Sequence, residues 1–243
     1  MARDLVWTDK NLKTFWDYYS DKEEEYFTEV FGDVIVKSFY QYLNNDPICV
    51  DYGCGTGGLV KALVSVGIKT IGIDYNQKSI NNIKEKYERY PSFNGAYAVE
   101  ELRKEKTNKI EANIVFSIET IEHVLSNNLN EYFLSIKNIM TDNSLLIISC
   151  PNDEDIESSK VYCPESDLTF HPMQHVRSLN KKTLKEIVEP QGFKLIETFS
   201  TDLRAHFSYS KKNYLKSKVR LIKSILLNYD LYQPHLFGIF KKI

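Results

Sequence analysis

Eight consecutive residues, Asp51-Tyr52-Gly53-Cys54-Gly55-Thr56-Gly57-Gly58, hold one acid and four glycines. Without a Cβ, glycine lets the backbone turn tightly and bring its N–H groups close to a ligand. The short apolar run Ile48-Cys49-Val50 precedes the loop, and residues 59–66 follow with helical apolar spacing ended by Gly67. The loop therefore joins a strand to a helix. Asp74 closes the next strand-like run, Thr70-Ile71-Gly72-Ile73, about 20 residues on, where a carboxylate can hold both hydroxyls of a ribose. The glycine spacing is G-x-G-x-G, not the G-x-G-x-x-G of a dinucleotide site. Asp51 would repel a pyrophosphate at the helix N-terminus and suits an ammonium group instead.

A second constellation lies at Glu119-Thr120-Ile121-Glu122-His123. On an α-helix Glu119, Glu122 and His123 would stand at i, i+3 and i+4, on one face. Two carboxylates beside an imidazole suit a divalent cation such as Mg²⁺, Mn²⁺ or Fe²⁺. The blander alternative has the acid capping a helix and the histidine lining a pocket. Two more imidazoles, His171 and His175, stand just before a helical pattern. An imidazole titrates near neutral pH, so each could accept a proton, and each could equally be an ordinary loop residue.

The elements that must carry these groups alternate. Residues 8–43 read as helical, and Asn44-Asn45-Asp46-Pro47 breaks the chain. Strands follow at 48–52, 70–74, 96–100, 113–118, 145–149, 193–199 and 235–240. Helices at 59–66, 79–90, 129–140 and 179–189 lie between them. Strand–helix alternation at these intervals predicts a doubly wound, mostly parallel α/β sheet. The expected organisation is one domain: a helical cap over 1–46, a core over 48–199, a helical insertion over 200–234 and a last strand over 235–243.

With 243 residues, 42% hydrophobic and 26% charged, the chain suits one large α/β domain. No apolar run reaches the roughly 18–20 residues a membrane span needs, and the first residues lack a signal-peptide layout. A cytoplasmic protein without a membrane partner is expected. Cys49, Cys54, Cys150 and Cys163 show no C-x-x-C spacing, which argues for reduced thiols and against a zinc ribbon. The net charge of −2 gives no global attraction to nucleic acid, although residues 204–223 carry seven basic residues and no acid.

The D-x-G-x-G-x-G of residues 51–57 resembles motif I of class I S-adenosylmethionine-dependent methyltransferases. That resemblance implies a seven-stranded Rossmann-like sheet with its last strand antiparallel, and S-adenosylmethionine as cofactor. It assigns Asp51, Gly53, Cys54, Gly55, Thr56 and Gly57 to the cofactor loop, Asp74 to the ribose, and Glu100 and Glu101 to the adenine side. Tyr75 and Ser117 are further expected cofactor contacts.

A narrower likeness rests on E-x-x-E-H, then Pro151-Asn152, a histidine-bearing loop and Gly192-Phe193. This order is similar to ubiquinone-pathway O-methyltransferases and to small-RNA 3′-terminal 2′-O-methyltransferases. The RNA group implies a metal held by Glu119, Glu122, His123 and His175, with His171 as a competing fourth ligand or a base. Asn152-Asp153-Glu154 and Val176-Arg177-Ser178-Leu179 depart from that group's pattern. The expectation is metal-assisted O-methylation of a small molecule with adjacent hydroxyls, such as a sugar, a nucleotide-linked sugar or a secondary metabolite. His171, His175 or His123 would take the proton. The aromatic N-terminal helix and the basic insertion would flank the pocket. The alternatives are RNA 3′-end methylation, or a catalytically idle module acting through protein contacts.

Overall fold

The computed structural model of the chain describes residues 2–104, 110–206 and 233–243. In chain order the elements are β1 (Arg3–Asp4), α1 (Asp9–Tyr19), α2 (Phe27–Ser38), β2 (Ile48–Tyr52), α3 (Gly58–Ser65), β3 (Lys69–Asp74), α4 (Gln77–Tyr87) and β4 (Phe93–Ala98). They continue with α5 (Val99–Lys104), β5 (Ala112–Ile118), α6 (Leu129–Ile139), β6 (Met140–Pro151), α7 (Ile156–Ser159), β7 (Val161–Cys163) and β8 (Leu168–Phe170). Last come α8 (Lys181–Val188), β9 (Phe193–Thr201), α9 (Leu203–His206) and β10 (His235–Lys242).

The main sheet has seven strands in the order β4-β3-β2-β5-β6-β10-β9. β2, β3, β4, β5 and β6 pair in parallel, and β10 runs antiparallel to both β6 and β9. This is the doubly wound arrangement expected from the alternating sequence. Successive strand residues point to opposite layers because the side-chain period is two. Val50, Val115 and Leu146 pack with Phe133 and Ile136 of α6 and with Leu184 of α8. Their neighbours Cys49, Ile114 and Ile147 pack on the other face with Phe31 and Ile35 of α2 and Leu59 of α3. Among the described residues no helix is long and apolar enough to cross a membrane.

Three features depart from expectation. The N-terminal region is two helices, not one, because Ser20–Tyr26 breaks the chain with only a 3₁₀ turn at Glu23–Glu25. The third strand ends at Ala98, so Glu100 and Glu101 stand in the first turn of α5 and not on a strand. A second sheet, β1-β8-β7, lies outside the main one. It ties the N-terminus to the histidine loop: Leu5 donates its N–H to the Thr169 carbonyl at 2.8 Å, and β8 runs directly into His171. The expected insertion begins beyond Thr201. Apart from α9, its helix and its basic residues Lys211, Lys212, Lys216, Lys218, Arg220 and Lys223 lie outside the described residues.

Candidate active site

The strand order reverses direction about β2, between β3 and β5, and ligands of such sheets bind beyond the strand carboxyl ends at that point. Gly53 follows β2, Asp74 ends β3, and Glu119 follows β5. A cavity of about 460 Å³ opens there, lined at one end by Gly53, Gly55, Asp74, Tyr75 and Glu100, and at the other by Glu119, Glu122, His123 and His175. Leu12, Trp16 and Tyr19 of α1 and the following Tyr26 cover it.

The glycines of the loop are required by shape. Gly53 and Gly55 have φ of 88° and 52°, where an L side chain is strained. A Cβ on Gly53 would meet Thr120 Oγ1 at 2.4 Å, and one on Gly55 would meet Tyr26 Cε1 at 2.2 Å. Asp74 closes the cradle: one carboxylate oxygen accepts the Gly55 N–H at 2.8 Å and the other the Asn76 N–H at 2.7 Å. Burial raises the Asp74 carboxyl above its ordinary range, against the backbone donors of Asn76, Gly55 and Tyr75. Beneath the loop Asp51 is 1% exposed and its Oδ2 has no hydrogen-bond partner among the described residues. Burial, and then the charge of Asp74, push it up to about 8. An orphaned carboxylate under a glycine cradle fits a cationic ligand.

The end of the same loop, at the N-terminus of α3, is packed against α2 and carries an acid, which disfavours a pyrophosphate there. Gly58 packs so closely on α2 that an added Cβ would lie 2.4 Å from the Glu29 nitrogen. The Thr56 hydroxyl donates to the Glu29 carboxylate of α2 at 2.8 Å, which sets an anion beside the start of α3.

Other loop candidates serve the scaffold. Cys54 packs with Val60, Ile80 and Ala96. Thr56 faces α2, and a Cβ on Gly57 would meet Tyr87 and Ile83. Glu101 accepts the Ala98 N–H at 3.0 Å, capping α5. Ser117 is buried and shares a 2.5 Å hydrogen bond with the Tyr132 hydroxyl.

At the far end the backbone is not α-helical. Glu119 has φ of 48°, a left-handed value costing a non-glycine residue about 1–3 kcal/mol, and a single 3₁₀ turn follows over Ile121–His123. The i, i+3, i+4 face expected for these residues is therefore corrected by the structure, yet they still meet. The Arg177 guanidinium clamps the turn, donating to the carbonyls of Ile121, at 3.2 Å, and Val124. Donor atoms of Glu122, His123 and His175 lie within 4.8 Å of one another. Glu119 stands outside that group, and its Oε1 accepts from the Ser149 hydroxyl at 2.8 Å.

Glu122 is the clearest anomaly. Its side chain is 1% exposed, and neither carboxylate oxygen has a hydrogen-bond partner among the described residues. Burial and then Glu119 hold its carboxyl well above the ordinary range, and burial pushes Glu119 up to about 7. His123 is held well below its usual value by burial and His175, and its Nδ1 also lacks a partner. A buried carboxylate costs several kcal/mol unless it is neutral or paired. Oxygen and imidazole donors around an unfilled charge deficit fit a divalent cation.

His171 lies behind this group and does not line the cavity. Its Nε2 pairs with Glu154 Oε1 at 3.2 Å, and its Nδ1 accepts the N–H groups of Met173 and His175 at 3.3 and 3.2 Å. Both ring nitrogens are engaged, so of the two later histidines only His175 reaches the cavity. Sequence reasoning missed Tyr26, Gln174 and Glu154. Gln174, fully buried with φ of 61°, donates to the His123 carbonyl at 3.0 Å.

Fold and cradle together place the chain among doubly wound α/β proteins that hold a nucleoside cofactor at a switch point. Residues 24–198 match the family profile described as a methyltransferase domain. The chain belongs to this methyltransferase family. A probable S-adenosylmethionine-dependent methyltransferase of Mycolicibacterium smegmatis is 23% identical over 149 residues, 61% of this chain and 52% of that protein. The chain thus spans about half the length of that curated relative. A SAM-dependent methyltransferase from Archaeoglobus fulgidus has a similar structure, with a TM-score of 0.60 and 18% identity, over 94% of this chain and 99% of that one. The Burkholderia thailandensis 1,6-didemethyltoxoflavin-N1-methyltransferase, with bound 1,6-didemethyltoxoflavin and S-adenosylhomocysteine, gives a TM-score of 0.62 at 11% identity, covering 99% and 93% of the two chains. These two likenesses establish the shared fold.

Proposed function

We propose that this protein transfers a methyl group from S-adenosylmethionine to an oxygen of a small acceptor with two adjacent hydroxyls, aided by a divalent cation. A sugar, a nucleotide-linked sugar or a secondary metabolite has that chemistry. One observation carries the reading. The cavity that begins at the cradle of Gly53, Gly55 and Asp74 ends at Glu122, a buried carboxylate with no hydrogen-bond partner among the described residues, beside His123 and His175.

The cofactor supplies a methyl group on a positively charged sulfur. In this reading Asp74 would hold the ribose hydroxyls, Glu100 and Tyr75 would flank the adenine, and Asp51 would face the cationic methionine end. In-line transfer demands chiefly that the acceptor be held and deprotonated in register with the methyl group. Glu122, His123 and His175 would hold the cation, which when bound would lower the pKa of a hydroxyl beside it and so make that hydroxyl easier to deprotonate. Two imidazoles with one carboxylate suit Mn²⁺ or Fe²⁺ better than Mg²⁺. On this chain Glu119, which lines the cavity and has one oxygen tied to Ser149, would take the acceptor's proton. Trp16, Tyr19 and Tyr26 exclude water from the cavity they cover. That cover supports a small acceptor over a long RNA strand.

The experiment is product formation with S-adenosylmethionine and a panel of catechols and sugar diols. Methylation should vanish after chelation and return with Mn²⁺ or Fe²⁺. Turnover that persists in rigorously stripped enzyme would reject the role of the cation.

A further inference from the structure

Two overlapping groups of potential ligands meet at His175: Glu122, His123 and His175 on the cavity side, and Glu154, His171 and His175 behind it. Their hydrogen bonding differs completely. Neither oxygen of Glu122 has a hydrogen-bond partner among the described residues. Both oxygens of Glu154 are engaged, Oε1 with His171 Nε2 at 3.2 Å and Oε2 with His175 Nδ1 at 2.5 Å. The charge deficit is thus at Glu122, and Glu154 already has its partners.

We infer that Glu154 is the positioning residue of the cation site, holding His175 so that its second ring nitrogen faces Glu122 and His123. The inference rests on the cation reading given above. With Glu154 accepting from a ring on each oxygen, the Nδ1 of His175 carries the proton, which leaves its Nε2 with a lone pair. A carboxylate behind a ligating histidine fixes its tautomer and ring orientation and raises its basicity. His171 completes the support. It stacks on His175 with ring centroids 4.2 Å apart and planes 16° from parallel, and its own Nε2–H steadies the other oxygen of Glu154.

The chain delivers Glu154 from a pinned loop. Asp153 has φ of 49°, donates its N–H to the Leu179 carbonyl at 2.8 Å and accepts from the Asn180 side chain at 3.0 Å. Asn152 donates its N–H to the Pro234 carbonyl and its side-chain amide to the Gln233 carbonyl, both at 2.9 Å. The left-handed turn at Asp153, anchored on both sides, sets the carboxylate behind the two rings.

The test is calorimetric titration of MnCl₂ into the stripped 243-residue chain, as wild type, Glu154→Gln, His175→Ala and the double variant. S-adenosylhomocysteine affinity and thermal melting serve as folding controls. Glu154→Gln should bind Mn²⁺ about ten- to a hundredfold more weakly with unchanged S-adenosylhomocysteine affinity. The nitrogen hyperfine pattern of bound Mn²⁺ should change in the same variant. In the His175→Ala background, adding Glu154→Gln should cost nothing further, because the effect travels through His175. Equal Mn²⁺ affinity in wild type and Glu154→Gln would overturn the inference, as would an equal loss in both backgrounds. A wild type that binds no Mn²⁺ would sink the cation reading itself and this inference with it.

Discussion

Trp16 donates its indole N–H to Oε1 of Gln174 at 3.0 Å, and so links the helix over the cavity to the loop that bears His175. Gln174 passes the link on to the His123 carbonyl, and the Trp16 ring meets the His123 ring edge-on at 4.9 Å. No residue of α1 is fully buried. Polar contacts hold the helix elsewhere, such as Asn76 donating to Asp17 at 2.6 Å.

Trp16→Phe keeps an aromatic cover but leaves the buried Gln174 oxygen without its donor. Such a loss costs about 1–3 kcal/mol. The variant should release S-adenosylmethionine several-fold faster in stopped flow and melt at a lower temperature. An unchanged release rate would show that this hydrogen bond does not hold the helix closed.

Asp51 gives a dependence on pH whose sign is fixed. Its carboxyl is pushed up to about 8 in the folded protein, against about 4 when unfolded, so the folded state binds the extra proton between these values. Stability therefore falls as pH rises from about 4 to about 8. Asp51→Asn removes the buried charge and should be more stable than wild type at pH 8 by about 1–3 kcal/mol, with no gain at pH 4. Denaturant unfolding at the two pH values measures this. The same variant should bind S-adenosylmethionine more weakly, and wild-type binding should release a proton, which calorimetry in buffers of different ionisation enthalpy detects.

Glu122→Gln replaces the buried acid with a near-isostere that carries no charge. Because burial and Glu119 already hold the Glu122 carboxyl well above its ordinary range, the cation-free protein should melt at the same temperature or higher. Mn²⁺ affinity should fall by more than about a hundredfold, beyond the range for outer-shell partners. A strong loss of stability with no loss of Mn²⁺ binding would mark Glu122 as a structural group only.

The residues legible in the sequence are those whose roles depend on local spacing. Gly53, Gly55 and Asp74 could be placed because a strand-end glycine turn and an acid at the next strand end need no tertiary information. The succession of strands and helices, and a mostly parallel sheet, followed from the same alternation, whereas the antiparallel seventh strand came from the resemblance to class I methyltransferases. Glu119, Glu122 and His123 were found by type, but their geometry was not, since a left-handed Glu119 and a 3₁₀ turn leave no periodic signal. Tyr26 was hidden inside a stretch that read as one continuous helix. Glu154 was visible as an acid after Pro151-Asn152, yet only the fold of β8 and the loop after it brings His171 and His175 to it. Cys54, Thr56 and Ser117 sit in the right segments but turn into the scaffold, because alternate residues of a strand and its turn face opposite sides.

The cradle at the carboxyl ends of β2 and β3 is tested most directly by calorimetric titration of S-adenosylmethionine into wild type and Asp74→Asn. Wild type should bind, and the variant, which loses charged acceptors for the ribose hydroxyls, should bind at least about tenfold more weakly. Equal affinity in the two proteins, or no binding by wild type, would contradict the assignment of this cavity to the cofactor.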